Sequence, residues 1–88
     1  MKLIILILDE RDAETVSQTL GENEYEVTHV ASTGGFLRRG NCTFLIGVED
    51  KQVDDALALL RETVARSESS GEQKALAFVL KVDKYEQL

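Results

Sequence analysis

Leu3-Ile4-Ile5-Leu6-Ile7-Leu8 is an unbroken aliphatic run behind a single lysine, Lys2. As a strand, such a run is apolar on both faces and needs cover above and below. It is too short to span a membrane and lacks a signal-peptide cleavage pattern. Two later segments share its character. Thr43 to Val48 is apolar on both faces apart from its first residue. Ala75 to Val82 sets Leu76, Phe78, Leu80 and Val82 on one face, with Ala75, Ala77 and Val79 on the other. A fourth strand, Tyr25 to Ala31, is more polar: Tyr25, Val27 and Ala31 share one face, and Glu26, Thr28 and Val30 share the other.

Between these strands the period changes. Ala13, Val16 and Leu20 recur at helical spacing after the polar turn Asp9 to Asp12. Asp12 is the expected N-cap and Gly21 the expected stop. A second helix begins near Asp50, which is expected to cap it. Its stripe is Val53, Ala56, Leu57, Leu60 and Val64. Arg61 and Arg66 lie toward the end where the macrodipole favours cations. Ser67 to Gln73 reads as a linker, and Asp83 to Leu88 as a polar tail. The order is therefore βαββαβ. It predicts an α+β domain with a four-stranded antiparallel sheet and, through right-handed crossovers, both helices on one face.

That architecture leaves a face over. Two helices cover one side, yet the first, third and fourth strands are apolar on both. Five or six large side chains would stand in water, each worth roughly 1.5–3 kcal/mol when buried. The sum rivals the roughly 5–15 kcal/mol stability of a whole domain. A chain of 88 residues has room for one domain and a thin core. It has one cysteine, Cys42, and hence no disulfide to reinforce it. Neither a metal nor a cofactor is expected. Oligomerisation is the remaining common route to stability, and a closed ring of copies would also shield strand edges.

Composition narrows the class. Hydrophobic residues make up 43% and charged residues 30%, as in a globular protein. A net charge of −6 argues against a nucleic acid polymer or an anionic membrane as partner. The single thiol suits a reducing compartment, so a cytoplasmic location is expected. Catalysis has little to work with. His29 is the sole histidine, and metal sites need several ligands. Glu49-Asp50 and Asp54-Asp55 read as capping and solvated acids. A small cofactor-free oxygenase would need a buried acid/base pair or several histidines in a cleft. An RNA-binding βαββαβ module would place aromatics and lysines on its central strands, where this chain is aliphatic.

The unusual stretch is Thr33-Gly34-Gly35-Phe36-Leu37-Arg38-Arg39-Gly40-Asn41. Paired glycines permit positive φ, so that successive N–H groups can converge on an anion. Phe36 can stack on a nucleobase, Arg38 and Arg39 can pair with phosphates, and Asn41 can read a base edge or cap the turn. The same residues also read as a hairpin loop whose glycines relieve strain and whose Phe36 packs on a neighbouring subunit.

Met1-Lys2-Leu3-Ile4-Ile5, the block from Ala31 through Thr33-Gly34-Gly35-Phe36-Leu37 and Gly40-Asn41-Cys42-Thr43-Phe44-Leu45-Ile46-Gly47-Val48 to Asp50, and Val53-Asp54 resemble the PII-like cyclic-di-AMP receptor proteins. The likeness runs from residue 1 to about residue 66 and returns at Phe78-Val79 and Val82-Asp83. It implies a single PII-like domain over residues 1–88, a ferredoxin-like fold, a homotrimer, and a signalling role. A small nucleotide, cyclic-di-AMP or similar, would be held at subunit interfaces, and a protein target would lie downstream. The family's ligand residues match Thr28, Gly35, Phe36, Leu37, Asn41, Gly47 and Gln87. Arg38 and Arg39 join them as candidate phosphate partners.

Two departures stand out. The family's receptors carry asparagine and arginine before that threonine, where this chain has Glu24 and Glu26. Like charges about 4 Å apart repel by roughly 4 kcal/mol at an effective dielectric near 20. The linker Ser67 to Gln73 is also short where the family has a long excursion. A ligand-divergent protein acting by protein–protein contact, without binding cyclic-di-AMP, is the alternative these departures support.

Overall fold

Each apolar run needs a ladder partner for its backbone and a layer for its side chains. A computed structural model of the chain describes residues 1–30, 40–66, 75–84, 86 and 88. The strands are β1 (Lys2–Asp9), β2 (Glu26–Val30), β3 (Asn41–Val48) and β4 (Ala75–Lys81). They form one antiparallel sheet in the order β2-β3-β1-β4. Helix α1 (Ala13–Glu22) follows β1, and α2 (Val53–Ala65) follows β3. This is the ferredoxin-like α+β arrangement expected from the order of elements.

Register sorts the side chains. Leu6 of β1 faces Phe44 of β3 and Ala77 of β4, and Val27 of β2 faces Ile46 of β3. That face carries Ile4, Leu6, Leu8, Cys42, Phe44, Ile46 and Val48, all buried. They pack with Val16 and Leu20 of α1 and with Ala56 and Leu60 of α2. On the opposite face Ile5 stands between Leu45 and Phe78, and Leu3 between Gly47 and Leu80. Among the described residues no element covers this open face. Leu3, Ile5, Ile7 and Leu45 are half-buried there. Val30 is 39% exposed, Leu76 41%, Phe78 50% and Leu80 47%.

Both helix entries differ from the sequence expectation, for one reason: each helix is preceded by a short 3-10 turn that carries the cap upstream. Before α1, the turn Glu10–Asp12 is capped by Asp9, not Asp12. Asp9 Oδ1 accepts from Arg11 N at 2.8 Å, and both carboxylate oxygens accept from the Arg11 guanidinium. These hydrogen bonds hold the Asp9 carboxyl below its ordinary pKa. Asp12 makes no side-chain cap bond and is itself buried. Before α2, Glu49 rather than Asp50 caps, in a reciprocal capping box with Gln52. Asp50 instead receives the N-terminal ammonium of Met1 at 3.1 Å, which lowers its pKa through hydrogen bonding and charge. Thr63 also joins the buried stripe of α2, its hydroxyl donating to Leu59 O at 2.7 Å.

The end of α1 departs as well. The helix runs through Gly21 to Glu22, and the left-handed residue beyond it is Glu24, with φ 66°. Glu24 N donates to Gly21 O and Tyr25 N to Leu20 O, both at 3.0 Å. These two bonds define a Schellman closure, whose left-handed position ordinarily holds glycine. A side chain there costs about 1–2 kcal/mol. Glu24→Gly is therefore expected to stabilise the fold by about 1 kcal/mol after the greater chain entropy of glycine is allowed for. At fixed protein concentration that corresponds to a melting midpoint about 4–8 °C higher. A midpoint that stayed level or fell would contradict this account of the helix end.

The strands are also redrawn at their ends. β2 is shorter than Tyr25 to Ala31, with Ala31 outside the described residues. β3 starts at Asn41, earlier than Thr43, because Asn41 and Cys42 pair with Asp9 and Leu8 and so extend the central ladder. The linker Ser67 to Gln73 lies outside the described residues.

Candidate functional site

Strand parity puts the described candidates on the open face. Thr28 is opposite Leu45, Gly47 lies between Glu26 and Leu3, and Asn41 is opposite Asp9. Residues 41, 43, 45 and 47 of β3 alternate with the buried set, so they share that face with 26, 28 and 30 of β2. Thr28 and Gly47 are diagonal neighbours. Asn41 is four residues further along β3 from Leu45, about 14 Å at strand spacing. The three thus form two groups at opposite ends of one face. Gly35, Phe36, Leu37, Arg38, Arg39 and Gln87 lie outside the described residues.

Glycine serves different needs at the two ends of β3. Gly40 has φ 90°, a conformation that a side chain resists, and its carbonyl accepts from Glu10 N at 2.7 Å. That bond ties the start of β3 to the turn after β1. At Gly47 an added Cβ would lie 3.3 Å from Met1 Cε. The missing side chain there makes room for Met1 at the edge of the open face.

The electrostatics of this face are one-signed. Among its described strand residues the charged side chains are Asp9 and Glu26, both acidic. Asp9 is engaged by Arg11 at 3.0 Å, whereas Glu26 is exposed two residues from Thr28 on the same strand. The face is therefore an apolar field edged by hydroxyl, amide and carboxylate groups. It suits a flat or aliphatic surface that brings hydrogen-bond donors, and it resists an approaching anion near Glu26.

The other noted residues take structural roles. His29 meets Phe44 edge to face, ring centroids 5.2 Å apart at 72°. Cys42 is buried in the helix-side core. Burial first, then the nearby Glu10, Asp9 and Asp12 carboxylates, push its thiol pKa up, so the reactive thiolate is disfavoured. Among the described residues no three His, Cys, Asp or Glu side chains gather as metal ligands. A groove of about 470 Å³ opens on the helix side, where Arg11, Asp12 and Thr15 approach Thr63 and Arg66. It shares no residue with the open face. Sequence reading missed Thr43, a buried polar residue on the open face. Its one signal was being the lone polar side chain at the head of an apolar strand.

Comparisons with known proteins agree with the topology. The family described as cyclic-di-AMP receptor matches residues 1–73. Gln87 lies beyond that match. A crystal structure of a protein of unknown function from Pediococcus pentosaceus ATCC 25745 superposes with a TM-score of 0.77 at 33% identity, covering 99% of this chain and 96% of that one. A DUF3240 family protein from Shewanella baltica OS155 superposes with a TM-score of 0.70, covering 99% of this chain and 94% of that one. At 15% identity it speaks for the fold alone. No helix among the described residues is long and apolar enough to cross a membrane. With most of its length matched, including all of β1, β2, β3 and both helices, this chain belongs to the cyclic-di-AMP receptor family, a PII-like family.

Proposed function

We propose that this chain is a PII-like signalling protein that assembles as a homotrimer through its open sheet face. It holds a small nucleotide of the cyclic-di-AMP kind where copies meet, and it acts on a protein target without catalysing a reaction. The observation that carries the reading is the open face itself. Leu76, Phe78 and Leu80 stand 41–50% exposed in a row on β4, beside half-buried Ile5 and Ile7. Monomeric proteins seldom leave so continuous an apolar patch in water. The separation of Asn41 from Thr28 and Gly47 supports a pocket between copies, since a ligand touching both groups is served best when different copies supply them.

Sedimentation at micromolar concentration, with calorimetric titration of cyclic-di-AMP and adenine nucleotides, tests the proposal. A trimer that binds one of them is the expected result. A stable single-copy species, or a trimer that binds none at high concentration, would refute the corresponding half.

Glu26 favours a second reading, a trimer that has lost cyclic-di-AMP and works through protein contact. The carboxylate shares the face and the strand with Thr28, so it would meet a phosphate placed beside that threonine. The two readings separate on the charge at position 26.

A further inference from the structure

One hydroxyl on the open face has no partner. Thr43 lies in β3, opposite Val30 of β2 and Ile7 of β1. It is 8% exposed, and its Oγ1 is buried without a hydrogen bond. Thr63, shielded to a similar degree, meets its need within α2 by donating to Leu59 O. That local route is closed to Thr43. Strand β3 lies between β2 and β1, so its main-chain groups are engaged in ladders on both sides. Valine has nearly the same shape and would fill the site without an orphaned polar atom. A buried hydroxyl left unmet lowers stability, so its presence in an apolar strand calls for a reason.

We infer that Thr43 is a ligand-contacting residue whose hydroxyl hydrogen-bonds the sugar or base of the nucleotide, not its phosphate. This rests on reading the open face as a nucleotide site. The surroundings decide which part of the ligand it meets. Ile7, Val30 and Leu45 border it, Thr28 is diagonal to it and Asn41 is two residues away on the same face. The charged groups among the described strand residues of that face are the acids Asp9 and Glu26. Glu26 lies four residues along β2 from Val30, about 14 Å at strand spacing, so a phosphate set beside Glu26 is out of reach of Thr43. A ribose hydroxyl or a base edge suits a hydroxyl that both donates and accepts, and the aliphatic border suits the flat side of a base. Because Oγ1 is shielded, the contact requires a neighbouring side chain to move aside. Val30, 39% exposed on the edge strand β2, has the room to move.

Thr43→Val and Thr43→Ser separate this role from a structural one. Cyclic-di-AMP is titrated calorimetrically into the wild type and both variants, with thermal melting and sedimentation on the same samples. Thr43→Val is expected to melt at or above the wild-type midpoint, to keep its assembly state, and to bind about tenfold more weakly. Thr43→Ser retains the hydroxyl and is expected within about threefold of wild type. Unchanged affinity in Thr43→Val overturns the inference while the nucleotide reading stands. So does weaker binding that comes with a lower midpoint or a different assembly state, which marks a packing role. A wild type that fails to bind cyclic-di-AMP overturns the inference through the reading beneath it, and the variants then have nothing to lose.

Discussion

Phe78→Asp is expected to convert the proposed trimer to single copies while leaving each copy folded. Phe78 stands on β4 opposite Ile5, half exposed in the isolated chain, so the fold depends little on its ring. In an assembly that roofs the open face, the ring is buried and contributes about 1.5–3 kcal/mol per copy. An aspartate there loses that term and adds the desolvation of an unpaired carboxylate, several kcal/mol per ion. Together these amount to at least about a thousandfold in association for each contact. Sedimentation at micromolar concentration should show the variant as one copy, and far-UV circular dichroism should match the wild type. A variant that still sediments as an oligomer would mean that copies associate through some other surface.

Glu26→Arg should gain affinity for cyclic-di-AMP by up to roughly a thousandfold. A carboxylate about 4 Å from a phosphate contributes roughly 4 kcal/mol of repulsion at an effective dielectric near 20, and an arginine adds a similar attraction; solvent at this exposed position cuts each to about half, which leaves roughly 4 kcal/mol for the reversal of charge. Position 26 is exposed at the start of the edge strand β2, so exchanging its side chain should alter folding stability by no more than about 0.5 kcal/mol. Glu26→Gln should fall between the two. The gain should shrink as salt is raised, because partly exposed charges are screened within about 10 Å at 0.1 M. Equal affinity in all three proteins would place the phosphates away from β2. No binding by any of them would favour the reading in which the family's ligand has been given up.

The candidate site was legible to different depths. Thr28 and Glu26 sharing a face followed from alternation along one strand, and the register against Leu45 and Gly47 agrees. The distance between Thr28 and Asn41 was not legible, because it depends on how β2 and β3 are staggered. Glu24 drew notice as a change of charge. Its place in the fold is a left-handed residue closing α1, a matter of backbone conformation that residue type does not reveal. Gly47 was marked as a ligand residue by resemblance; that its missing side chain also leaves room for Met1, far away in sequence, was not legible.

By itself the sequence determined the four strands, the two helices, their order, and the excess of apolar surface over what two helices can cover. Those properties follow from side-chain period, which is local and survives any error in register. Tertiary structure alone decided where the helices start and stop, which acid caps and which pairs with the N-terminus, and that the Thr43 hydroxyl is shut in without a partner. Each of these depends on which backbone and side-chain groups arrive from elsewhere in the chain to take a hydrogen bond. At helix ends and buried polar positions, that arrival sets the energy.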